Sequence, residues 1–376
     1  MGRILIVAGE ASGDLHGANL ARAIREIDPR VQLAGIGGAA MNAAGVTLIE
    51  GFGHLDIIGM IGLSAVTAVI RRFAAMRRLF RSERWEAVVF IDNPGMNLRY
   101  AYFAKAAGLR VIYYIAPQIW AWNPGRMKYI QQRVDRVIVI LPFEEALYRR
   151  VGMPCTFVGH PLLDAVAPQY DRAKIRAQFR LDAGARVVAL LPGSRANEVR
   201  SLLPVLLDAA ARLRRDDPKT QFILAQASTI PDNLLQPLLQ QSAVPVTVVP
   251  EQASEVMAAA DLVLVASGTA TLQAAVVGTP MILLYRAPWF TYHLAKRLIR
   301  VPWIGLVNLV AGRSVVPELI QHEATGVRVY DEARRLLDDR AAYEGMKRSL
   351  EAVKASLGEP GASRRAAQVV LDACRA

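Results

Sequence analysis

Residues 262–285 read LVLVASGTATLQAAVVGTPMILLY, an uncharged run long enough to cross a bilayer. Ser267, Gly268, Thr269, Thr271, Gln273, Gly278, Thr279 and Pro280 interrupt it, which is how turns are written and not how a lipid-facing helix is. The run therefore predicts a buried strand, a polar turn, a helix, a second turn and another buried strand, the repeating unit of a parallel sheet.

The same unit recurs on both sides. Upstream, Val187–Leu191, Phe222–Ala225 and Val246–Val249 are short, apolar and β-branched. A first series precedes them at Ile4–Ala8, Val31–Ile36, Ala87–Ile91, Val111–Ile115 and Val137–Leu141, with helical periodicity at Gly17–Ile27 and Arg71–Phe80 between strands. Between the series, residues 160–186 lose strand character around Pro161, Pro168 and Gly184. The expected fold is α/β, with two doubly wound Rossmann-like domains facing across a cleft, at residues 1–165 and 166–340. A helical tail, 341–376, would pack back on the N-terminal domain or on a partner subunit, the latter implying a homodimer. No period of 20–50 residues repeats, so a solenoid is excluded.

Of 376 residues, 53% are hydrophobic and 21% charged, which excludes disorder. Lys and Arg number 45 against 33 acidic residues, a formal charge of +12 that favours anionic partners. Nucleotide phosphates and an anionic membrane surface fit; no nucleic-acid-binding module appears, so nucleic acid is not an expected partner. Cys155 and Cys374 form no C-x-x-C pair, as in a reducing compartment. The apolar run Ile4–Ala8 is too short for an export signal, so a cytoplasmic location is expected.

The first strand runs into AGEASGD, with Gly9, Glu10, Ser12, Gly13 and Asp14 forming a loop whose glycines free backbone N–H groups for a ligand. Its bland alternative is a tight turn capped by Ser12 or Asp14. The spacing is not G-x-G-x-x-G, and no acidic residue follows the second strand at Gly35–Gly38, which disfavours hydride transfer. No P-loop exists. In the second half, Gly193, Ser194 and Arg195 form a strand-to-helix turn with an open backbone, a hydroxyl and a planar cationic fork. Ser267, Gly268, Thr269 and Thr271 form another at the same sheet edge. Paired, these turns point to a nucleotide diphosphate. The five histidines show no ligand spacing and no D-x-D element occurs, so neither metal nor cofactor is expected.

Nine motifs taken together resemble the lipid-A-disaccharide synthases: AGEASGD (8–14), FGHLDIIGMIG (52–62), IDNPGMN (91–97), IAPQIWAW (115–122), LPFE (141–144), VGHPLLD (158–164), LPGSR (191–195), ASGTATLQ (266–273) and NLVAGR (308–313). The resemblance implies a metal-independent glycosyltransferase of the GT-B type. Its donor would be UDP-2,3-diacylglucosamine and its acceptor 2,3-diacylglucosamine 1-phosphate, lipid X. The products would be the β-1′,6-linked disaccharide 1-phosphate and UDP, by inversion. It implies Arg195 for phosphate, Ser267–Thr271 for phosphate and ribose, and Asn308 for the nucleotide. Related transferases place a Glu where Gln273 stands; an amide still accepts a hydrogen bond, without charge assistance.

Inversion calls for one general base. Asp92, at the carboxyl end of the strand Ala87–Ile91, is the first candidate, set against an Asp that merely holds its own turn. His16 is its rival, set against a satisfied histidine; Asp14 and Glu10 would orient. Acylated substrates account for the apolar Ile57, Ile58, Met60 and Ile61, followed by Arg71, Arg72 and Phe73, and for Trp289 and Phe290 in a basic segment. Basic residues among aromatics suit the inner face of the cytoplasmic membrane, held peripherally; the alternative is a core helix with a solvated basic face. The rival functions are another UDP-N-acetylglucosamine transferase or epimerase of the same fold, and a basic membrane-surface protein without catalysis.

Overall fold

The computed structural model describes residues 2–52, 63–118, 120, 124–288, 292 and 301–375. The chain divides into two compact units, Met1–Pro161 with Gly358–Ala376, and Leu162–Leu357.

The first unit is built on a parallel sheet of β1 (Arg3–Ala8), β2 (Gln32–Ile36), β3 (Thr47–Leu48), β4 (Ala87–Ile91), β5 (Arg110–Tyr114), β6 (Arg136–Val139) and β7 (Cys155–Phe157). Its strand order is β3-β2-β1-β4-β5-β6-β7. Side chains alternate between two apolar layers. Leu5, Val7, Val88, Phe90, Val111 and Tyr113 enter one, and Ile4, Ile6, Val89, Ile91, Ile112 and Tyr114 the other. A sheet covered on both faces needs apolar residues at every position, which is why β4 reads AVVFI. The helices Leu63–Ser82, Pro94–Ala106 and Met127–Arg133 contribute to the first layer, and the helices Ala11–Ile27 and Ala362–Arg375 to the second.

The second unit repeats the plan with β8 (Val187–Leu191), β9 (Gln221–Gln226), β10 (Val246–Pro250), β11 (Leu262–Ala266), β12 (Met281–Tyr285) and β13 (Glu318–Ile320), in the order β10-β9-β8-β11-β12-β13, again parallel. The run that opens the sequence reading becomes β11, the helix Thr269–Val277 and β12. In both sheets the chain reverses its direction of winding beside the first strand, between β1 and β4 and between β8 and β11. Ligands of doubly wound sheets bind at that switch point, outside the carboxyl ends.

Three strands were not expected: β3, β7 and β13, each of two or three residues. The unit boundaries fall at Pro161 and Gly358, not at residues 165 and 340. Helices Gly326–Asp338 and Arg340–Ser356 stay with the second unit, and only Ala362–Arg375 returns to the first. Its Ala366, Ala367, Val370 and Leu371 pack with Leu20, Ala21 and Ile24, and Arg365 Nε donates to the Val158 carbonyl at 2.8 Å. No described helix is long and apolar enough to cross a membrane.

Candidate active site

In the second unit, a cavity of about 570 Å3 opens at the carboxyl ends of β8, β9 and β11. Gly193 adopts φ 116°, a conformation closed to other residues, and this turns the Ser194 and Arg195 N–H groups toward Glu198. Glu198 Oε2 accepts from both, at 3.2 and 3.3 Å, and its Oε1 takes the Arg195 guanidinium at 2.9 Å. The loop is thus already shaped around an anionic oxygen. The Arg195 side chain is 81% exposed, a cation lining the cavity and paired with Glu198.

The second turn is a mixture. Ser267, Gly268 and Thr269 line the same cavity. Thr271 does not: it is fully buried, and its hydroxyl donates to the Gly268 carbonyl at 2.8 Å, closing the turn. Asn308 is likewise spent inside the fold. Its Nδ2 donates to Val316 O and Glu318 Oε1, and its Oδ1 accepts from the Val315 and Val316 N–H groups. Both side chains, expected at the nucleotide, are here buried and hydrogen-bonded within the fold. Gln273 lies one turn further along the helix, bonded to Ser254.

In the first unit, β4 runs out into Asp92 and Asn93, both left-handed at φ 48° and 43°. Such residues cost on the order of 1–3 kcal/mol each and persist only where their surroundings hold them. Here Asn97 Nδ2 donates to the carbonyls of Ile91 at 3.0 Å and Asp92 at 2.8 Å. The Tyr113 hydroxyl donates to the Asp92 carbonyl at 2.6 Å, and the Asp92 N–H donates to Tyr114 O at 3.2 Å. The backbone is pinned while the carboxyl stays half-buried. Burial raises its pKa, and the Asn93 N–H opposes this in part.

A cavity of about 460 Å3 opens beside this turn, lined by Gly9, Glu10, Asp14, Arg72, Asn93 and Tyr100 among others. Asp14 serves the scaffold: its Oδ1 accepts from Gly38 N and Met41 N, and its Oδ2 from Ala40 N, capping the helix Ala39–Ala43. Three backbone donors thus occupy the carboxylate expected to orient the loop. The helix expected from Gly17 begins at Ala11; Gly17 is a packing glycine whose missing Cβ admits Met41, and Gly13 lies in ordinary contact with Ala8 and Ile91. Gly13 is accordingly buried, whereas Ser12 and Glu10 are exposed in the first turn. His16 Nδ1 is buried without a partner, and burial lowers its pKa. His160 is pushed down to about 4 by burial and by His16. Both imidazoles are therefore neutral at pH 7.

The residues expected at a lipid surface divide. Arg71 is exposed, as are Ile70, Arg77, Arg78 and Arg81. Arg72 and Phe73 instead turn inward: Arg72 donates to Tyr100 Oη and Phe52 O at 3.2 Å each, and Phe73 meets Tyr100 and Phe103. Ile57, Ile58, Met60, Ile61, Trp289 and Phe290 lie outside the described residues.

A family model described as lipid-A-disaccharide synthetase matches residues 4–372. The chain belongs to the lipid-A-disaccharide synthetase family. It is 45% identical over 371 residues to the lipid-A-disaccharide synthase of Geobacter sulfurreducens, covering 98% of this chain and 97% of that one. It is 39% identical over 369 residues to that of Nitrosococcus oceani, covering 98% and 95%. Among solved structures, the Staphylococcus aureus MnaA–UDP complex superposes with a TM-score of 0.68 at 12% identity, covering 98% and 96%. UDP-GlcNAc 2-epimerase from Neisseria meningitidis bound to UDP-GlcNAc gives 0.65 at 12%, covering 98% and 100%. These likenesses establish the two-domain GT-B fold.

Within this synthetase frame, several residues that shape the two cavities escape a reading of motifs. Glu198 completes an R-x-x-E capping box and could have been found from that spacing. Asn97, the last residue of IDNPGMN, acts on its own turn, whereas Tyr113 reaches Asp92 through a tertiary contact and leaves no local signal. Glu144, inside LPFE, is buried, accepts from Trp120 Nε1 at 3.0 Å and from Leu141 N, and is pushed up to about 7 by that burial.

Proposed function

We propose that the chain joins UDP-2,3-diacylglucosamine to lipid X, forming the β-1′,6-linked disaccharide 1-phosphate and releasing UDP. The donor's diphosphate is read to occupy the Gly193–Arg195 loop and the Ser267–Thr269 turn, where N–H groups, hydroxyls and the Arg195 cation balance its charge. Lipid X takes the first unit's cavity. Its 6-hydroxyl oxygen attacks the donor's anomeric carbon from the face opposite the leaving group. The bond from that carbon to the phosphate oxygen breaks with its electron pair on UDP, and the hydroxyl proton passes to the Asp92 carboxylate.

The observation that carries this reading is Asp92 itself. Its backbone is held in a disfavoured conformation by three hydrogen bonds, from Asn97 and Tyr113 and to Tyr114, and its carboxyl is partly desolvated one residue before Asn93, which lines the first unit's cavity. A raised carboxylate is a stronger base toward a hydroxyl than a solvated one. For location, the exposed Ile70, Arg71, Arg77, Arg78 and Arg81 support an anionic leaflet beneath the helix Leu63–Ser82, on the inner face of the cytoplasmic membrane.

UDP release from UDP-2,3-diacylglucosamine, with and without lipid X, in detergent and EDTA, tests the whole. Acceptor-dependent, chelator-insensitive release is expected. Release only with a different acceptor would keep the fold and discard the substrates.

A further inference from the structure

Arg72 leaves the exposed face of the helix Leu63–Ser82, where Arg71, Arg77, Arg78 and Arg81 stand, and lines the first unit's cavity. Among the described residues it is the one basic side chain that does so. Its Nε donates to Tyr100 Oη and its Nη2 to the Phe52 carbonyl, each at 3.2 Å. Burial raises the Tyr100 pKa against the opposing pull of Arg72, so that hydroxyl is un-ionised at pH 7. Both acceptors are thus neutral, and they aim the guanidinium without cancelling its charge. Ile36, Phe52, Met76 and Met96 line the same cavity, with Met76 fully buried. Of its two carboxylates, Asp14 is occupied by three backbone donors, and Glu10 is exposed ahead of the helix Ala11–Ile27.

An apolar wall with one aimed cation is the complement of an amphiphile that carries hydrocarbon and an anion. The planar guanidinium fork matches two oxygens of a phosphate, and partial burial strengthens such a charge-assisted pair. We infer that Arg72 binds the phosphate of the acylated acceptor, with Tyr100 as its positioning residue and the apolar wall taking acyl carbon. The inference rests on the reading of this cavity as the acceptor's site. It gives Arg72 a different task from its neighbours on the helix: they face outward, whereas Arg72 selects a phosphorylated acyl sugar over an unphosphorylated one. Tyr100 does not touch the phosphate. It fixes the Nε edge of the guanidinium, and so the direction in which the rest of the fork points.

UDP release by the full chain, in micelles of a non-ionic detergent, tests this with two acceptors: lipid X, and the methyl glycoside of 2,3-diacylglucosamine, which carries no phosphate. The unsubstituted chain should show a kcat/KM about tenfold or more higher for lipid X. Arg72→Gln should lower kcat/KM for lipid X by about tenfold or more, and for the glycoside by less than about twofold. Arg72→Lys, which keeps the charge and loses the fork, should fall between the two. Tyr100→Phe keeps the cation and removes its clamp, so it should cost about threefold with lipid X and spare the glycoside. These last two variants decide the matter alone if the glutamine variant does not fold. Equal losses with both acceptors mark a structural role for Arg72 and overturn the inference, as does no loss with either. If the unsubstituted chain uses both acceptors equally, the phosphate is not read and the proposed reaction survives. If it releases UDP with neither, the proposed reaction fails and takes this inference with it.

Discussion

The Tyr113 hydroxyl reaches across from β5 to the backbone carbonyl of Asp92 at 2.6 Å, gripping a left-handed residue by its main chain and leaving its carboxyl untouched. Tyr113→Phe removes one of the clamps on that strained turn. It should lower kcat several-fold with KM unchanged and cost about 1 kcal/mol of stability. Steady-state kinetics and thermal melting of the same preparation check it, and a loss confined to KM would contradict it.

Asp92→Asn removes the proton acceptor without changing shape. Turnover should fall by about 10²–10⁴-fold while UDP affinity stays within twofold. Normal turnover would remove Asp92 as the base.

The acid limb of kcat/KM should also move. The base works only when ionised, so the rate rises as pH rises through its pKa. Burial raises that pKa, and the limb should lie above the ordinary carboxylate range. A pH–rate profile of the parent shows the limb; in Asp92→Asn the residual rate should be flat across it.

The Arg195 side chain is exposed and, among the described residues, is tied to the fold through Glu198. Arg195→Ala should weaken UDP by about tenfold or more and shift stability by less than about 0.5 kcal/mol. Unchanged UDP affinity would move the diphosphate elsewhere. Asn308→Ala should do the reverse. It strands the part-buried N–H of Val315 and the buried N–H of Val316, costing about 2–4 kcal/mol, and leaves the UDP affinity of the folded protein unchanged.

Two buried groups give the first unit opposite pH responses. His160 titrates at about 4 when folded, below its unfolded value of 6.5, so its neutral burial loses stability as pH falls from 6.5 through 4. Glu144 titrates at about 7, above its unfolded 4.5, so its stability is full below 4.5 and is lost as pH rises through 7. Glu144→Gln should stabilise the chain at pH 8 relative to its effect at pH 4 by about 3 kcal/mol. His160→Gln should flatten the acid side instead. Melting curves across pH 4–8 for both variants distinguish the two.

The long strands were legible because β4, β8 and β11 are buried at every position, and an unbroken apolar run needs no context to be recognised. β3, β7 and β13 are too short to carry a pattern. The tight strand-to-helix turn at Gly193–Arg195 was legible from Gly193, whose left-handed φ disfavours other residues. The start of the first helix was not, since Gly13 and Gly17 look like loop residues until Met41 is seen against Gly17. Polar residues in motifs were the least legible. Thr271 and Asn308 carry the same letters whether they face a ligand or the interior, and their partners at Gly268, Val316 and Glu318 choose the interior.

The helix Ala362–Arg375 supplies Ala366, Ala367, Val370 and Leu371 to a core whose other members come from residues before Pro161. During synthesis the unit that starts first is therefore finished last. The ribosome delivers the whole of Leu162–Leu357 while the earlier sheet waits with part of one apolar face uncovered. A stalled or C-terminally clipped product would carry a complete second unit beside an unsealed, aggregation-prone first one, so quality control by proteolysis would be expected to begin at the N-terminal half.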